Sequence, residues 1–153
     1  MVCTSGTNPS LSMTRQLLHE RLTHSVIGAF YEVYNTLSHG YLESIYLAAL
    51  ERELRMRGHR VARELSVHVM YKGEAIGMQR LDMVVDDVLV VEAKSTHTLH
   101  ESASRQLYNY LRATSLEVGL LLHFGPKAQF FRIVCEQDFK RQVERSGSSV
   151  ESV

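Results

Sequence analysis

The chain has no tryptophan, two prolines and two cysteines among its 153 residues. Both prolines, Pro9 and Pro126, lie near the ends, so no proline-rich linker divides the chain, and no internal repeat is present. Cys3 and Cys135 lack metal-ligand spacing, which excludes a cysteine-built zinc site and a disulfide scaffold. They read as reduced thiols of an intracellular, cytoplasmic protein, with a single disulfide as the alternative. No apolar run reaches membrane-spanning length, and the polar first ten residues do not resemble a secretory signal, so no membrane partner is expected. An excess of either charge is also missing. Seventeen Lys and Arg balance seventeen Asp and Glu. That argues against a protein that holds nucleic acid through bulk charge, and leaves room for a local basic groove.

What is present reads as one domain over residues 11–144, between small, polar tails at 1–10 and 145–153 that are expected to be disordered. From about Ser12, the apolar positions Met13, Leu17, Val26, Phe30, Val33 and Leu37 trace a helical stripe that Gly40 can end. A second helix is predicted from Leu42 to Arg57, with Ile45, Ala49 and Leu50 inward and Gly58 as its cap. The period then alternates. Strands are predicted from Val61 to Tyr71, from Ile76 to Val85 and from Val88 to Lys94, with turns at Lys72-Gly73 and Asp86-Asp87. Thr98 and Glu101 have capping-box spacing and predict a helix running to about Arg112. Val118 to Phe124 suits a strand buried on both faces, Phe130 to Val134 another strand, and Gln137 to Arg145 a closing helix. The fold class is α/β, with helices layered on a sheet.

The stretch RLDMVVDDVLVVEAK, residues 80–94, sets two carboxylates and an ammonium among apolar strand residues. Buried charges left unpaired cost several kcal/mol each. Glu92 and Lys94 are two apart and share a face. The face of Asp82 depends on register. A two-residue turn at Asp86-Asp87 sets Asp82 across from Val91 and on the opposite face from Glu92. A three-residue connection or a bulge brings the two acids together. The spacing leaves both open, and the cost of isolated acids favours the second. Two carboxylates and a lysine on one face suit phosphodiester hydrolysis, with Mg²⁺ or Mn²⁺ held by hard oxygen ligands. A plain cross-strand ion pair is the competing reading.

HGYLESIY (39–46), RLDMVVDDVLVVEAK and QLYNYL (106–111) together resemble the GxxExxY family of the PD-(D/E)XK nuclease superfamily, which includes many restriction endonucleases and recombination exonucleases. The signature glycine, glutamate and tyrosine fall on Gly40, Glu43 and Tyr46. The resemblance covers about Leu22 to Val134. It implies a restriction-endonuclease-like core, a mixed sheet flanked by helices. It implies catalytic roles for Glu43, Asp82, Glu92 and Lys94, metal ligation by Asp82, Glu92 and Glu43 with the Ala93 carbonyl as a further ligand, and supporting roles for Gln106, Tyr110 and Tyr46. Ser38-His39-Gly40 and His123-Phe124-Gly125 depart from the Gly-Pro-Gly and Asn-Phe-Gly common in that family.

The residues themselves add to this. Glu43, Tyr46 and Leu50 are spaced i, i+3, i+7, which sets the glutamate on an inward stripe, and Gln106 and Tyr110 are i, i+4 neighbours. His97, His100, Arg80 and Arg105 are candidates for phosphate contact, against a plain surface role. Arg63 and Lys72 could join Arg80 and Arg105 in a basic rim, against the same surface reading. His59, His68 and His123 have no partner at ligand spacing, so no zinc site is assigned. Met56, Met70, Met78 and Met83 read as core filling. The function expected is a Mg²⁺- or Mn²⁺-dependent nuclease acting on nucleic acid, DNA rather than RNA. The alternative is a domain that binds nucleic acid or protein without cleaving it. A homodimer or a separate protein partner is expected to supply missing grip, with Phe30, Tyr31 and Tyr34 of the first helix as a contact surface, against the alternative that all three pack within the monomer.

Overall fold

A computed structural model of the chain describes residues 9–136. Helix α1 (Pro9–Leu37) and helix α2 (Glu43–Met56) precede strands β1 (Val61–Tyr71), β2 (Glu74–Val85) and β3 (Leu89–Lys94). Helix α3 (Ser102–Ala113), β4 (Val118–Phe124) and β5 (Ala128–Val134) follow. The strands form one sheet in the order β1-β2-β3-β4-β5. β3 and β4 are parallel, joined through α3, and the other neighbours are antiparallel. This five-stranded mixed sheet flanked by helices is the α/β, restriction-endonuclease-like architecture the sequence implied. The expected closing helix from Gln137 lies outside the described residues.

Each face of the sheet has its own core. On one, Val26 and Phe30 of α1 and Tyr46 and Leu50 of α2 pack against Met83, Val91, Leu120 and Phe124. On the other, Leu107 and Leu111 of α3 pack against Val90 and Leu121. β4 is buried along its whole length, as its continuous apolar run predicts. Gly119 lets α3 approach closely, since a Cβ there would stand 2.9 Å from Leu107 Cδ1.

Several local expectations need correction. α1 begins at Pro9, earlier than the stripe suggested, and Met13 and Leu17 on that stripe are exposed. The stripe is periodic, but the sheet reaches only the part of the helix that includes Leu22 and beyond. After α1 the left-handed position is taken by Ser38 (φ 57) as well as Gly40 (φ 110). Ile45 is exposed, and Tyr46, Leu47, Leu50 and Leu54 form the buried face of α2. Gly58 does cap that helix: its N–H bonds to Arg55 O and that of His59 to Leu54 O, a Schellman arrangement. The Thr98–Glu101 capping box does not form. α3 starts at Ser102, and the His100 ring accepts the Ser102 N–H at 3.3 Å in place of a Thr hydroxyl. Thr98 lies instead in a loop where its carbonyl accepts the Thr96 hydroxyl. Of the four methionines assigned to the core only Met83 is buried; Met56, Met70 and Met78 are exposed, the last two on the β1–β2 ribbon beyond the edge of β3. Phe30 and Tyr34 do not form an outer surface: Phe30 is fully buried and the Tyr34 hydroxyl donates to Gly125 O at 2.8 Å. Tyr31 alone of the three remains exposed, its ring edge-on to Phe130.

Phe124 organises the end of β4. Its ring stacks on Tyr46 at 4.3 Å between centroids and meets Phe30 edge-on at 4.8 Å. The Tyr46 hydroxyl in turn donates to Ser38 O at 2.5 Å and accepts the Tyr41 N–H at 3.2 Å, fixing the loop before α2. Phe124→Ala is therefore expected to lower stability by about 3–5 kcal/mol. Phe131→Ala, on the exposed outer strand, should cost less than about 1 kcal/mol. Urea unfolding of both variants would measure the contrast, and equal losses would refute this account of the core.

Candidate functional site

The β2–β3 hairpin decides where the acids go. Its ladder pairs Val85 with Leu89, Val84 with Val90 and Met83 with Val91, so three residues, Asp86, Asp87 and Val88, close the turn. Asp86 (φ 52) and Asp87 (φ 57) both adopt left-handed backbone, which Asp tolerates better than most residues. The ladder ends at Met83–Val91, and just beyond it the Asp82 carboxylate accepts the Ala93 N–H at 3.0 Å and lies close enough to Glu92 for its charge to be felt there. The odd connection anticipated from charge cost is the one found.

The hairpin is also latched from outside. Asp86 Oδ2 lies 2.7 Å from His59 Nδ1, and His59 Nε2 lies 2.7 Å from Ser25 Oγ of α1. Arg60 N donates to Asp86 Oδ1 at 2.8 Å. This Ser–His–Asp chain has the bonding order of a hydrolase triad. Ser25 sits in mid-helix, however, where the surrounding N–H groups are spent on helix bonds and cannot stabilise an oxyanion. The chain therefore serves to pin the hairpin to α1.

Around Asp82 and Glu92 the polar contacts are specific. Asp82 Oδ2 accepts the Ala93 N–H at 3.0 Å. Lys94 Nζ donates to Glu92 Oε1 at 2.8 Å. Glu92 is 3% exposed, and its Oε2 is buried with no hydrogen-bond partner among the described residues. Glu43, at the first position of α2, lies near enough to feel the charges of Lys94 and Asp82. Tyr110 of α3 is close enough to sense Glu92, Lys94 and Asp82, and its hydroxyl accepts the Gln106 amide at 2.6 Å. The chain thus brings Glu43, Asp82, Glu92, Lys94 and Tyr110 together, with Gln106 behind Tyr110. Tyr46 stands apart, in the aromatic stack that holds the loop before Glu43.

The remaining candidates separate. Arg80 is exposed two residues before Asp82, and His97 and His100 are exposed on the loop after β3. Arg105 lines a shallow cleft with Glu101, Ser104, Tyr108 and Ile133, which the acids do not share. Arg63 is paired with Glu51 at 3.0 Å, so it does not belong to a free basic rim. His123 was missed. It is 2% exposed at the end of β4, directly across the ladder from Lys94. A histidine inside an otherwise apolar strand was the available signal, because a buried ring must find partners. Glu64 was also missed: it adopts φ 54 within β1, level with Asp82 between the pairs Arg63–Met83 and Leu65–Leu81.

The electrostatics follow from the crowding. Burial, then the Asp82 charge, push the Glu92 carboxyl up to about 7, against the opposing pull of Lys94. Burial raises the Glu43 carboxyl as well. Burial alone would lower Lys94, but its hydrogen bond to Glu92 and the surrounding acids outweigh this and raise it, so Lys94 stays an ammonium. Burial and the Glu92 charge raise the Tyr110 hydroxyl.

Among the described residues no three His, Cys, Asp or Glu side chains are grouped so that together they could hold a metal ion. The donor set still fits a hard divalent cation. Its donors are carboxylate oxygens, and one of them, Glu92 Oε2, is buried without a partner. No helix among the described residues is long and apolar enough to cross a membrane.

A layered α/β domain with acids and a lysine where the central hairpin meets α2 defines a nuclease-like class of protein. A family model described as the PD-(D/E)XK nuclease superfamily matches residues 20–133, and the chain belongs to that superfamily. No curated protein matches. The crystal structure of SSO0001 is similar, with a TM-score of 0.50 and 18% sequence identity, over 67% of this chain and 55% of that one. At that identity the likeness concerns the fold. The chain spans little more than half of that protein's length.

The raised Glu92 carboxyl has a consequence for stability. The folded chain holds this proton more tightly than the unfolded chain, whose value is near 4.5. The resulting stabilisation is fully present below that value and is lost as pH rises through about 7. Urea unfolding of metal-free protein should show wild type losing stability relative to Glu92→Gln across that window. A constant difference between the two would refute the assignment.

Proposed function

We propose that the protein is a divalent-metal-dependent nuclease that hydrolyses phosphodiester bonds of nucleic acid, DNA in preference to RNA. The observation that carries this reading is a buried Glu92 near Asp82, one of whose oxygens has no partner, with Lys94 bonded to the other. Membership of a nuclease superfamily supports the reaction class. The preference for DNA and the assignment to the GxxExxY branch rest on the motif resemblance set out above.

Asp82, Glu92 and Glu43 would hold Mg²⁺ or Mn²⁺, with the Ala93 carbonyl as a further oxygen ligand. The bound cation would neutralise charge on the phosphate and acidify a water. Lys94 remains cationic, so it serves as a donor that orients the attacking water and stabilises developing negative charge, and not as the acceptor of its proton. The Ala93 N–H holds Asp82 in place, and α2 delivers Glu43 with Tyr46 anchoring the turn before it. Gln106 and Tyr110 form a donor pair beside the acids, suited to positioning the phosphate or Glu92 itself. Arg80, His97 and His100, all exposed, would contact the backbone of the polymer.

Calorimetry should detect Mn²⁺ binding that is abolished in Asp82→Ala and strengthens as pH rises past the Glu92 value, since Glu92 must release its proton to the solvent. With Mn²⁺ or Mg²⁺ present, single-stranded, duplex and branched DNA and RNA should be assayed for cleavage. Lys94→Ala should lower the rate by at least about 100-fold while leaving Mn²⁺ binding largely intact. Wild-type protein that binds these substrates but cuts none of them would replace this reading with that of a non-catalytic binding domain.

A further inference from the structure

We propose that the outer edge of β5 pairs antiparallel with β5 of a second copy of this chain, around a two-fold axis at Phe131. The inference does not depend on the nuclease reading. The sheet ends in two edge strands, β1 and β5. An open edge is a template for further pairing unless bulges, charges or unusual backbone blunt it. β1 is blunted. Its ladder is interrupted between Val69 and Met70, Glu64 adopts left-handed backbone, and Arg63 and Glu64 put charges on it. β5 (AQFFRIV) lacks these devices. All seven of its residues pair with β4 without interruption, none is left-handed, and Arg132 is its one charge. No backbone hydrogen bond among the described residues reaches its outer side. Phe130, Phe131 and Val134 are nevertheless 39%, 43% and 42% exposed.

The strand is self-complementary about its middle. Antiparallel pairing centred on Phe131 is the register that uses every residue of the strand, with Phe131 opposite its own copy and Gln129 opposite Ile133. It also sets Phe130 opposite Arg132, twice. Phe130 and Arg132 lie across the ladder from Leu122 and Leu120, so both point to the α1–α2 side of the sheet. There each guanidinium meets the ring of the other copy, a cation–π contact. An axis at Arg132 would instead set the two guanidinium groups against each other and leave strand residues unpaired. Tyr31 of α1, 37% exposed and edge-on to Phe130 at 6.3 Å, extends the apolar surface on this side. Phe131 lies across from Leu121 and points to the α3 side, where it meets its symmetry mate. The chain carries no formal net charge, so association meets no overall repulsion. The contact is small and the monomer is complete without it, so dilution should reverse it.

Light scattering of the full chain over a range of concentrations should show a reversible shift from monomer to dimer. Phe131→Lys places two ammonium groups at the axis and should weaken dimerisation by at least about 30-fold. Met78→Lys, on the exposed β1–β2 ribbon, should leave it unchanged. Phe131→Cys should link two copies by a disulfide when treated with oxidised glutathione, since directly opposed strand residues lie within disulfide reach. Phe130→Cys, which faces Arg132, should link no more than wild type. Circular dichroism checks folding. If Phe131→Lys fails to fold, the wild-type concentration dependence and the crosslinking still decide. A chain that stays monomeric at every concentration overturns the proposal, and protection of the 128–134 amides from exchange in that monomer would assign the edge to residues 137–153 instead. A dimer kept in Phe131→Lys but lost in Met78→Lys would also overturn it and move the contact to the ribbon.

Discussion

Everything near the centre of this fold has to accommodate two carboxylates facing each other across neighbouring strands. Glu92 is almost wholly excluded from water, and Asp82, bonded to the Ala93 N–H just beyond the end of the ladder, stands beside it. Like charges so close in a poorly solvated place cannot both ionise freely, which is why the Glu92 carboxyl rises to about 7. Lys94 and the Ala93 N–H offset part of this repulsion, one to each acid. They leave one Glu92 oxygen without a partner. A buried group left in that condition is costly, and a fold that retains it is carrying an electrostatic load that a cation would relieve.

That load explains where the backbone accepts strain. A two-residue turn between β2 and β3 would have separated the acids, and in its type I′ form it needs two left-handed residues as well. The three-residue turn needs two consecutive left-handed aspartates, and the fold secures one of them with His59 and the Arg60 N–H. Glu64 takes up another left-handed position beside Asp82. Costs of this kind persist when surrounding packing over-determines them. Here the packing is supplied by two separate cores, one on each face of the sheet.

The sheet and its acids were legible because they follow from periodicity and charge cost, both written locally in the sequence. β4 showed itself as an unbroken apolar run, and the odd hairpin register followed from asking how Asp82 and Glu92 could share one cation. Stripe arguments were less dependable at the margins. Met13, Leu17 and Ile45 fit helical periods yet face solvent, because no sheet lies beneath them. The capping box at Thr98 and Glu101 failed for a related reason. Thr96, Thr98 and His100 found partners within their own loop, and the helix began only where that loop ended. His123 could not be assigned from spacing. Its partner, Thr96 O, is a backbone atom 27 residues away, and no side-chain pattern encodes a carbonyl.

The end of β4 links these parts. Three successive residues there face three different elements: His123 the loop after β3, Phe124 the rings of α1 and α2, and Gly125 the hydroxyl of Tyr34. The clustered acids come from β2 and β3, neighbours in one hairpin, and from α2, which is separated from them in sequence by β1. Strand pairing fixes β2 against β3, but α2 is free of that ladder and must be located by other means. The Tyr46–Phe124 stack sets its depth against the sheet, and the Tyr46 hydroxyl, bonded to Ser38 O and the Tyr41 N–H, fixes the loop that leads into its first residue. The stack rests on β4, buried along its whole length and so little able to shift. A rigid central strand is therefore the reference against which a helix-borne carboxylate can be aimed at a strand-borne pair.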